Sequence, residues 1–263
     1  MIAAPKYPCM VDSHAHLDFS DYDKDREEVL RRAEEHGIQL IINVGFDLAS
    51  SKKAVQLAGQ YPLVYAAVGI HPHDAAKASS GYLHELEELA RHPKVIALGE
   101  MGLDFYRDRS PRPVQRIVFR RQLQLARKLN LPVIVHTRNA HDEVLKILED
   151  DGLPAAGGVI HCFSGDLELA KKFLKLGLYL SIAGPVTYPK NSQLGEVAAA
   201  LPLEKLLIET DAPFLPPGPL RGKRNEPAFV TFVAEKVAAL RGISPESLGN
   251  ECLQNARRLF SIE

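Results

Sequence analysis

Eight short β-branched runs alternate with amphipathic helical stretches along the 263 residues, and this alternation constrains the fold more than any other feature. The runs are Met10 to His16, Gln39 to Val44, Val64 to Gly69, Val95 to Gly99, Pro132 to His136, Gly158 to His161, Tyr179 to Ile182 and Lys205 to Glu209. Each is strand-sized and either alternating or continuously apolar, whereas the segments between them carry apolar residues at helical spacing. Asp23 to His36 puts Val29, Leu30 and Ala33 on one face and stops at Gly37, and Pro111 to Leu129 lines up Phe119, Leu123, Leu125, Ala126 and Leu129. Asn139 reads as the cap of a helix reaching Asp150, and Asp166 as the cap of one reaching Leu176. Pro227 to Leu240 and Pro245 to Phe260 supply two more helices after the last strand.

Eight βα units at spacings of roughly 20–40 residues close most economically into a (β/α)8 barrel, for which about 250 residues is typical. The expected class is therefore α/β, a single TIM-like barrel. An open doubly wound sheet would place a glycine-rich phosphate turn after the first strand, where this chain has Ser-His-Ala-His. No low-complexity stretch or Gly/Ser linker divides the chain, so residues 1–263 are expected to form one domain.

Composition then removes other classes. Lys+Arg number 32 against 33 Asp+Glu, a formal charge of −1, which argues against a whole-surface electrostatic grip on nucleic acid yet permits a local basic patch. No apolar run approaches the roughly 18–20 residues of a membrane span. Met1 to Met10 carries no apolar h-region, so no secretory signal is expected there. Cys9, Cys162 and Cys252 are odd in number, widely spaced and without any CxxC, which reads as reduced, buried thiols. A cytoplasmic enzyme without membrane attachment is the expectation, and the oligomeric state stays open.

The chemistry lies at the strand ends. His14 and His16 lie two apart, so strand geometry sends both imidazoles to one face, into the barrel mouth. An isolated His-x-His is more often a hydrogen-bonded structural pair. Here, however, Glu100 follows Val-Ile-Ala-Leu-Gly, His136 follows Val-Ile-Val, His161 follows Gly-Val-Ile and Asp211 follows Leu-Leu-Ile-Glu-Thr. Five strands thus offer six ligand-type residues at the C-terminal rim, the face where barrel enzymes place their sites.

Four imidazoles and two carboxylates exceed what one catalytic ion needs, because such an ion usually takes three protein ligands. Two divalent ions with a shared carboxylate fit better. The donors suit Zn, Mn, Fe or Co, and Mg is less comfortable among imidazoles. Arg138, two past His136, and Arg221, Lys223 and Arg224 after the eighth strand favour a phosphate substrate. Pro216, Pro217, Pro219 and Gly222 make that last stretch a shaped loop. His71, in Gly-Ile-His-Pro-His, reads either as a substrate-phosphate group or as a support of the ligands, and His73 is set aside. Asp12 lies one step deeper than His14 and suits ligand support, Asp104 suits loop or substrate orientation, and Cys162 alternates away from His161.

Taken together, Val-Asp-Ser-His-Ala-His-Leu-Asp (11–18), Gly-Ile-His-Pro-His (69–73), Gly-Glu-Met-Gly-Leu-Asp (99–104), His-Thr-Arg-Asn-Ala (136–140), His-Cys-Phe-Ser-Gly (161–165), Glu-Thr-Asp-Ala-Pro-Phe-Leu (209–215) and Arg-Gly-Lys-Arg-Asn-Glu-Pro (221–227) give a chain that resembles the TatD family of metal-dependent hydrolases. The resemblance implies a divalent-metal deoxyribonuclease or related phosphodiesterase in a TIM-like barrel. It also implies that His14, His16, Glu100 and Asp211 hold one metal while Glu100, His136 and His161 hold the second, with Glu100 bridging.

The expected reaction is hydrolysis of a DNA phosphodiester by metal-activated water, with Asp211 taking or steering its proton and Glu100 essential to the metal pair. Zn, Mn, Co and Mg are the candidate ions. Two alternatives stand beside it: a different scissile bond, such as the ester of an aminoacyl-tRNA or a cyclic amide, and a metal-dependent nucleic-acid binder without turnover.

Overall fold

The computed structural model describes residues 4–262 and contains one parallel sheet whose eight strands follow chain order. They are β1 (Met10–Ala15), β2 (Ile38–Val44), β3 (Val64–Val68), β4 (Val95–Asp104), β5 (Val133–Arg138), β6 (Gly158–Ile160), β7 (Tyr179–Ile182) and β8 (Leu206–Ile208). The sheet closes on itself just beyond β8, where Asp211 N donates to His14 O and His16 N to Ala212 O, at 2.9 and 2.7 Å. The chain is a TIM-like barrel, as its periodicity predicts. Strands buried on both faces read as unbroken apolar runs, and Ile41, Ile42, Ala97, Leu98, Ile134, Val135, Leu207 and Ile208 fill that buried layer.

Nine α-helices pack outside the strands among the described residues: α1 (Arg26–Glu35), α2 (Leu48–Gln60), α3 (Tyr82–Leu89), α4 (Arg112–Leu129), α5 (His141–Asp151), α6 (Leu167–Lys175), α7 (Ser192–Ala200), α8 (Val230–Arg241) and α9 (Pro245–Phe260). Asp166 caps α6 as expected, accepting from Leu169 N at 2.8 Å. Asn139 does not cap α5. Ala140 occupies that position and Asn139 takes the left-handed conformation with φ 52°, because β5 runs on to Arg138 and the chain must turn sharply off the rim. The α1 segment also starts later than Asp23, since Ser20–Tyr22 forms a separate 3-10 turn. Helices α2, α3 and α7 fill the inter-strand segments for which the sequence pattern sets no helix bounds. The first of these carries a capping box in which Asp47 and Ser50 satisfy each other's backbone. No described helix is long and apolar enough to cross a membrane.

Two bulges shape the C-terminal rim. Between Leu98 and Met101 the β4 register advances three residues while β5 advances two, and between Asp12 and Ala15 the β1 register does the same against β2. A bulge re-aims the side chains within it, and these two contain Glu100 and His14. β4 therefore does not end at Gly99. It continues beyond the bulge because β5 extends to pair with it, Gly102 opposite His136 and Asp104 opposite Arg138. Gly102 sits at φ 142°, and a Cβ there would fall inside the contact radius of the His136 carbonyl, so only glycine lets β4 pass this close.

Candidate metal centre

The C-terminal ends of β1, β4 and β5, with the segments just past β6 and β8, bring all six ligand-type residues together. Glu100 is their hub. Its Oε2 lies 3.5 Å from His14 Nε2 and 3.9 Å from His16 Nε2, while its Oε1 lies 2.8 Å from His136 Nδ1 and 2.7 Å from His161 Nε2. Asp211 closes the first group, with Oδ1 3.7 Å from His14 Nε2 and 3.5 Å from His16 Nε2. The carboxylate of Glu100 thus faces two sets of imidazoles with one oxygen each. Donor atoms of His14, His16 and Asp211, of His14, Glu100 and His161, and of His71, Glu100 and His136 fall within 4.8 Å of one another in each trio.

Outer partners fix which ring nitrogen is free. His16 Nδ1 meets the Val44 carbonyl at 2.7 Å, and a carbonyl can only accept, so Nδ1 carries the proton and Nε2 presents its lone pair inward. His136 Nε2 donates to Asp104 Oδ2 at 3.1 Å, which leaves Nδ1 toward Glu100. His161 Nδ1 donates to Glu209 Oε1 at 3.3 Å, leaving Nε2 inward. Three of the four imidazoles thereby turn a ring nitrogen inward with a carboxylate or carbonyl behind them, an arrangement able to orient metal-binding histidines. His14 Nδ1 is buried without a partner.

Inward nitrogens face one another in pairs, His14 Nε2 to His16 Nε2 at 3.2 Å and His136 Nδ1 to His161 Nε2 at 3.1 Å. Two lone pairs at that distance repel unless a proton or a cation lies with them. Charge follows the same logic. Burial opposes ionisation of Glu100 and Asp211, yet the surrounding imidazoles hold both below the usual carboxylate range. Conversely, burial disfavours charged His16, but the hydrogen bond and charge of Asp211 outweigh it and raise its pKa to about 9. His136 and His161 are raised too, against burial, by Asp104 and Glu100 for the first and by Glu100 and Glu209 for the second. His14 goes the other way, lowered by burial and by the neighbouring His161, so three of the four imidazoles favour positive charge, and the donor set fits divalent ions of intermediate softness.

His71 differs from the other four. Its Nδ1 accepts from His73 N at 3.0 Å, so the proton sits on Nε2, which faces Glu100 Oε1 at 3.5 Å. Burial lowers its pKa to about 4, so the ring is neutral at neutral pH and presents an N–H donor to the site.

The supporting groups are mostly carboxylates and amides. Asp104, buried at 1% exposure, accepts from His136 Nε2, from His73 Nε2 at 3.0 Å, and from the backbone N–H of Tyr106 and Arg107 at 3.0 and 2.7 Å. Its anticipated part in orienting the following loop extends to orienting His136. Asp12 accepts from Thr210 N and Thr210 Oγ1 at 2.9 and 2.5 Å, and Asn225 Nδ2 donates to Thr210 O and Phe214 O, so the turn bearing Asp211 is pinned from both sides. Glu209 and Asn225 are supports that the sequence reading misses. A carboxylate ending the apolar run Leu-Leu-Ile-Glu is a usable signal for the first, because a buried charge demands a partner.

The basic rim divides. Arg138 is exposed and lies over the Tyr106 ring at 4.1 Å, Arg221 is exposed 5.0 Å from the Tyr188 ring, and Lys223 is exposed. Arg224 is instead committed to Asp25 through two bonds of 2.8 and 2.6 Å, with a third to Asp21 O at 2.5 Å. It ties the loop to the segment leading into α1.

Comparison with known proteins places this geometry. The family described as TatD related DNase matches residues 11–261. The Bacillus subtilis metal-dependent hydrolase YabD is 45% identical over 253 residues, covering 96% of this chain and 99% of that protein. The 3'-5' ssDNA/RNA exonuclease TatD of Erwinia billingiae is 38% identical over 259 residues, covering 96% and 99%. Among solved structures, the TatD homologue YJJV of Escherichia coli K12 superposes with a TM-score of 0.92 at 36% identity, covering 97% of this chain and 99% of that one.

Proposed function

Because this chain belongs to the family of TatD-related DNases, a group of metal-dependent hydrolases, we propose that it hydrolyses phosphodiester bonds of nucleic acid, DNA in the first place, at a pair of divalent ions. The observation that carries this reading is the Glu100 carboxylate, one oxygen toward His14 and His16 and the other toward His136 and His161. His14, His16, Asp211 and Glu100 would hold one ion, and Glu100, His136 and His161 the second. Zn, Mn, Co and Mg remain the candidate ions. Bound there, such a pair supplies Lewis acidity toward a phosphoryl oxygen and lowers the pKa of water at the site.

The chain's own groups do the rest. Asp211 stays ionised at neutral pH, since its imidazole neighbours outweigh its burial, and Oδ1 is turned to His14 and His16. Its second oxygen is free to take the proton of the attacking water. His71 offers its Nε2–H to the oxygen on which charge develops, a neutral donor that does not repel the ions. Arg138, Arg221 and Lys223, exposed at the rim, would take the phosphates flanking the scissile one, while Arg224 holds the loop in place. The exonuclease name borne by the Erwinia billingiae relative supports single strands as the first substrate to try.

The test uses metal-free protein reloaded singly with Mg, Mn, Co or Zn and end-labelled single- and double-stranded DNA. Metal-dependent nucleotide release that Glu100→Ala abolishes is the expected result. Stoichiometric metal binding with no cleavage of any nucleic acid would contradict the reading and turn attention to an aminoacyl ester or a cyclic amide on the same centre.

A further inference from the structure

Four large apolar side chains stand exposed among the described residues, and the two aromatic ones, Tyr106 at 57% and Phe214 at 46%, both lie on loops at the barrel mouth. Scattered exposed apolar residues are normal and need no explanation. These two are distinguished by what holds them. Phe214 stands edge-on to Phe19 with ring centres 5.3 Å apart, Phe19 packs on Phe46 at 5.2 Å, and His16 lies 6.1 Å from Phe214 itself. Three phenylalanines from the loops after β1, β2 and β8 thus form a fixed wall beside the His14, His16 and Asp211 group.

Tyr106 is built differently to the same end. Its backbone N–H is held by Asp104, the carboxylate that also holds His136, and one face of its ring is taken by the Arg138 guanidinium at 4.1 Å. The Arg107 guanidinium also stands 5.7 Å from the ring centre, farther off than Arg138, and the side chain keeps more than half of its surface exposed. The loops carrying Tyr106 and Phe214 follow β4 and β8, which are four strands apart in an eight-stranded barrel, so the two rings rise from opposite walls of the mouth.

We propose that Phe214 and Tyr106 are base-stacking platforms that bracket the scissile phosphate of a single-stranded nucleic acid, one base lying on each wall. This rests on the phosphodiesterase reading above and deepens it. Stacking on an aromatic face tolerates any base, and a guanidinium behind the ring adds to the attraction, so the platforms grip without reading sequence. Bases of an intact duplex are stacked on one another and cannot enter such a clamp, so single strands are preferred.

The experiment compares two oligonucleotides on the metal-loaded protein: single-stranded oligothymidylate, and the same chain made of 5,6-dihydrothymidine, which keeps the backbone but has a saturated, non-planar base. Leucine at either position, Phe214→Leu or Tyr106→Leu, is expected to raise KM for oligothymidylate about 5- to 100-fold, with far less change for the dihydro chain. Phe214→Trp and Tyr106→Phe should restore the wild-type value. Equal shifts on both oligonucleotides, or no rescue by the aromatic variants, would overturn the platforms. If the wild-type protein cuts both chains with the same KM, the platforms fall and the phosphodiesterase reading stands. If it cuts neither chain nor any other nucleic acid, both fall together.

Discussion

Replacing Asp104 by Asn tests the tautomer argument without removing a ligand. The Asp104 Oδ1 accepts from two backbone N–H groups, Tyr106 and Arg107, while Oδ2 accepts from His136 and His73. In Asp104→Asn the amide oxygen must stay on the backbone donors, since the amide nitrogen would meet them N–H to N–H. The NH2 group is thereby turned to His136 Nε2, which must accept, and the ring proton moves to Nδ1, the atom 2.8 Å from Glu100. A proton on that nitrogen excludes a metal ion. Loss of such an outer partner costs about 10- to 100-fold in metal affinity, or roughly 1.4 to 2.7 kcal/mol. Only the ion between Glu100, His136 and His161 should weaken. Competition titration against a chelating dye near neutral pH, with a thermal melt to verify the fold, measures it. Two ions bound with wild-type affinities by the folded variant would refute the reasoning.

Three further outcomes are expected. The raised pKa of His16, about 9, and the raised values of His136 and His161 mean that the metal-free centre carries protons at neutral pH. Metal must displace those protons, so affinity falls as pH is lowered and loading at neutral pH releases protons; calorimetry in buffers of different ionisation enthalpy would show it, and zero release contradicts it. Asp211→Asn should keep the fold and lower turnover by about 10²- to 10⁴-fold, whereas wild-type rates would remove Asp211 from the proton transfer. Arg224→Ala should lower stability by about 0.5–1 kcal/mol through loss of the two-bonded Asp25 pair, a partly exposed interaction. Arg221→Ala should instead leave the melt unchanged and reduce the slope of binding against salt by about 0.7 for a single strand. Interchanged behaviour of the two arginines would reverse their assignments.

Much of the barrel and its centre is legible in the chain because two periodicities do most of the work. Strands buried on both faces must be apolar throughout, which exposes them as runs, and ligands must stand where those runs end. Glu100, His136, His161 and Asp211 are visible on that ground alone. The extension of β4 is not, because the bulge at Gly99 and Glu100 depends on the register against β5, a tertiary matter that β4's own residues do not encode. Nor can local pattern tell Arg224 from Arg221. The partner that commits Arg224, Asp25, lies 199 residues away, and only closure of the barrel brings them together. Asn139 misleads for a different reason: asparagine suits both a helix cap and a left-handed turn, and the length of β5 decides between them.

If Glu100 joins two ions in one centre, both are needed to cut a nucleic-acid backbone. Turnover of a single-stranded oligonucleotide should be followed while Mn2+ is titrated into metal-free protein, with bound metal counted in parallel. Little cleavage is expected up to one equivalent and a steep rise as the second binds, with both lost in Glu100→Ala. Full turnover at one equivalent, or undiminished turnover in that variant, would contradict it.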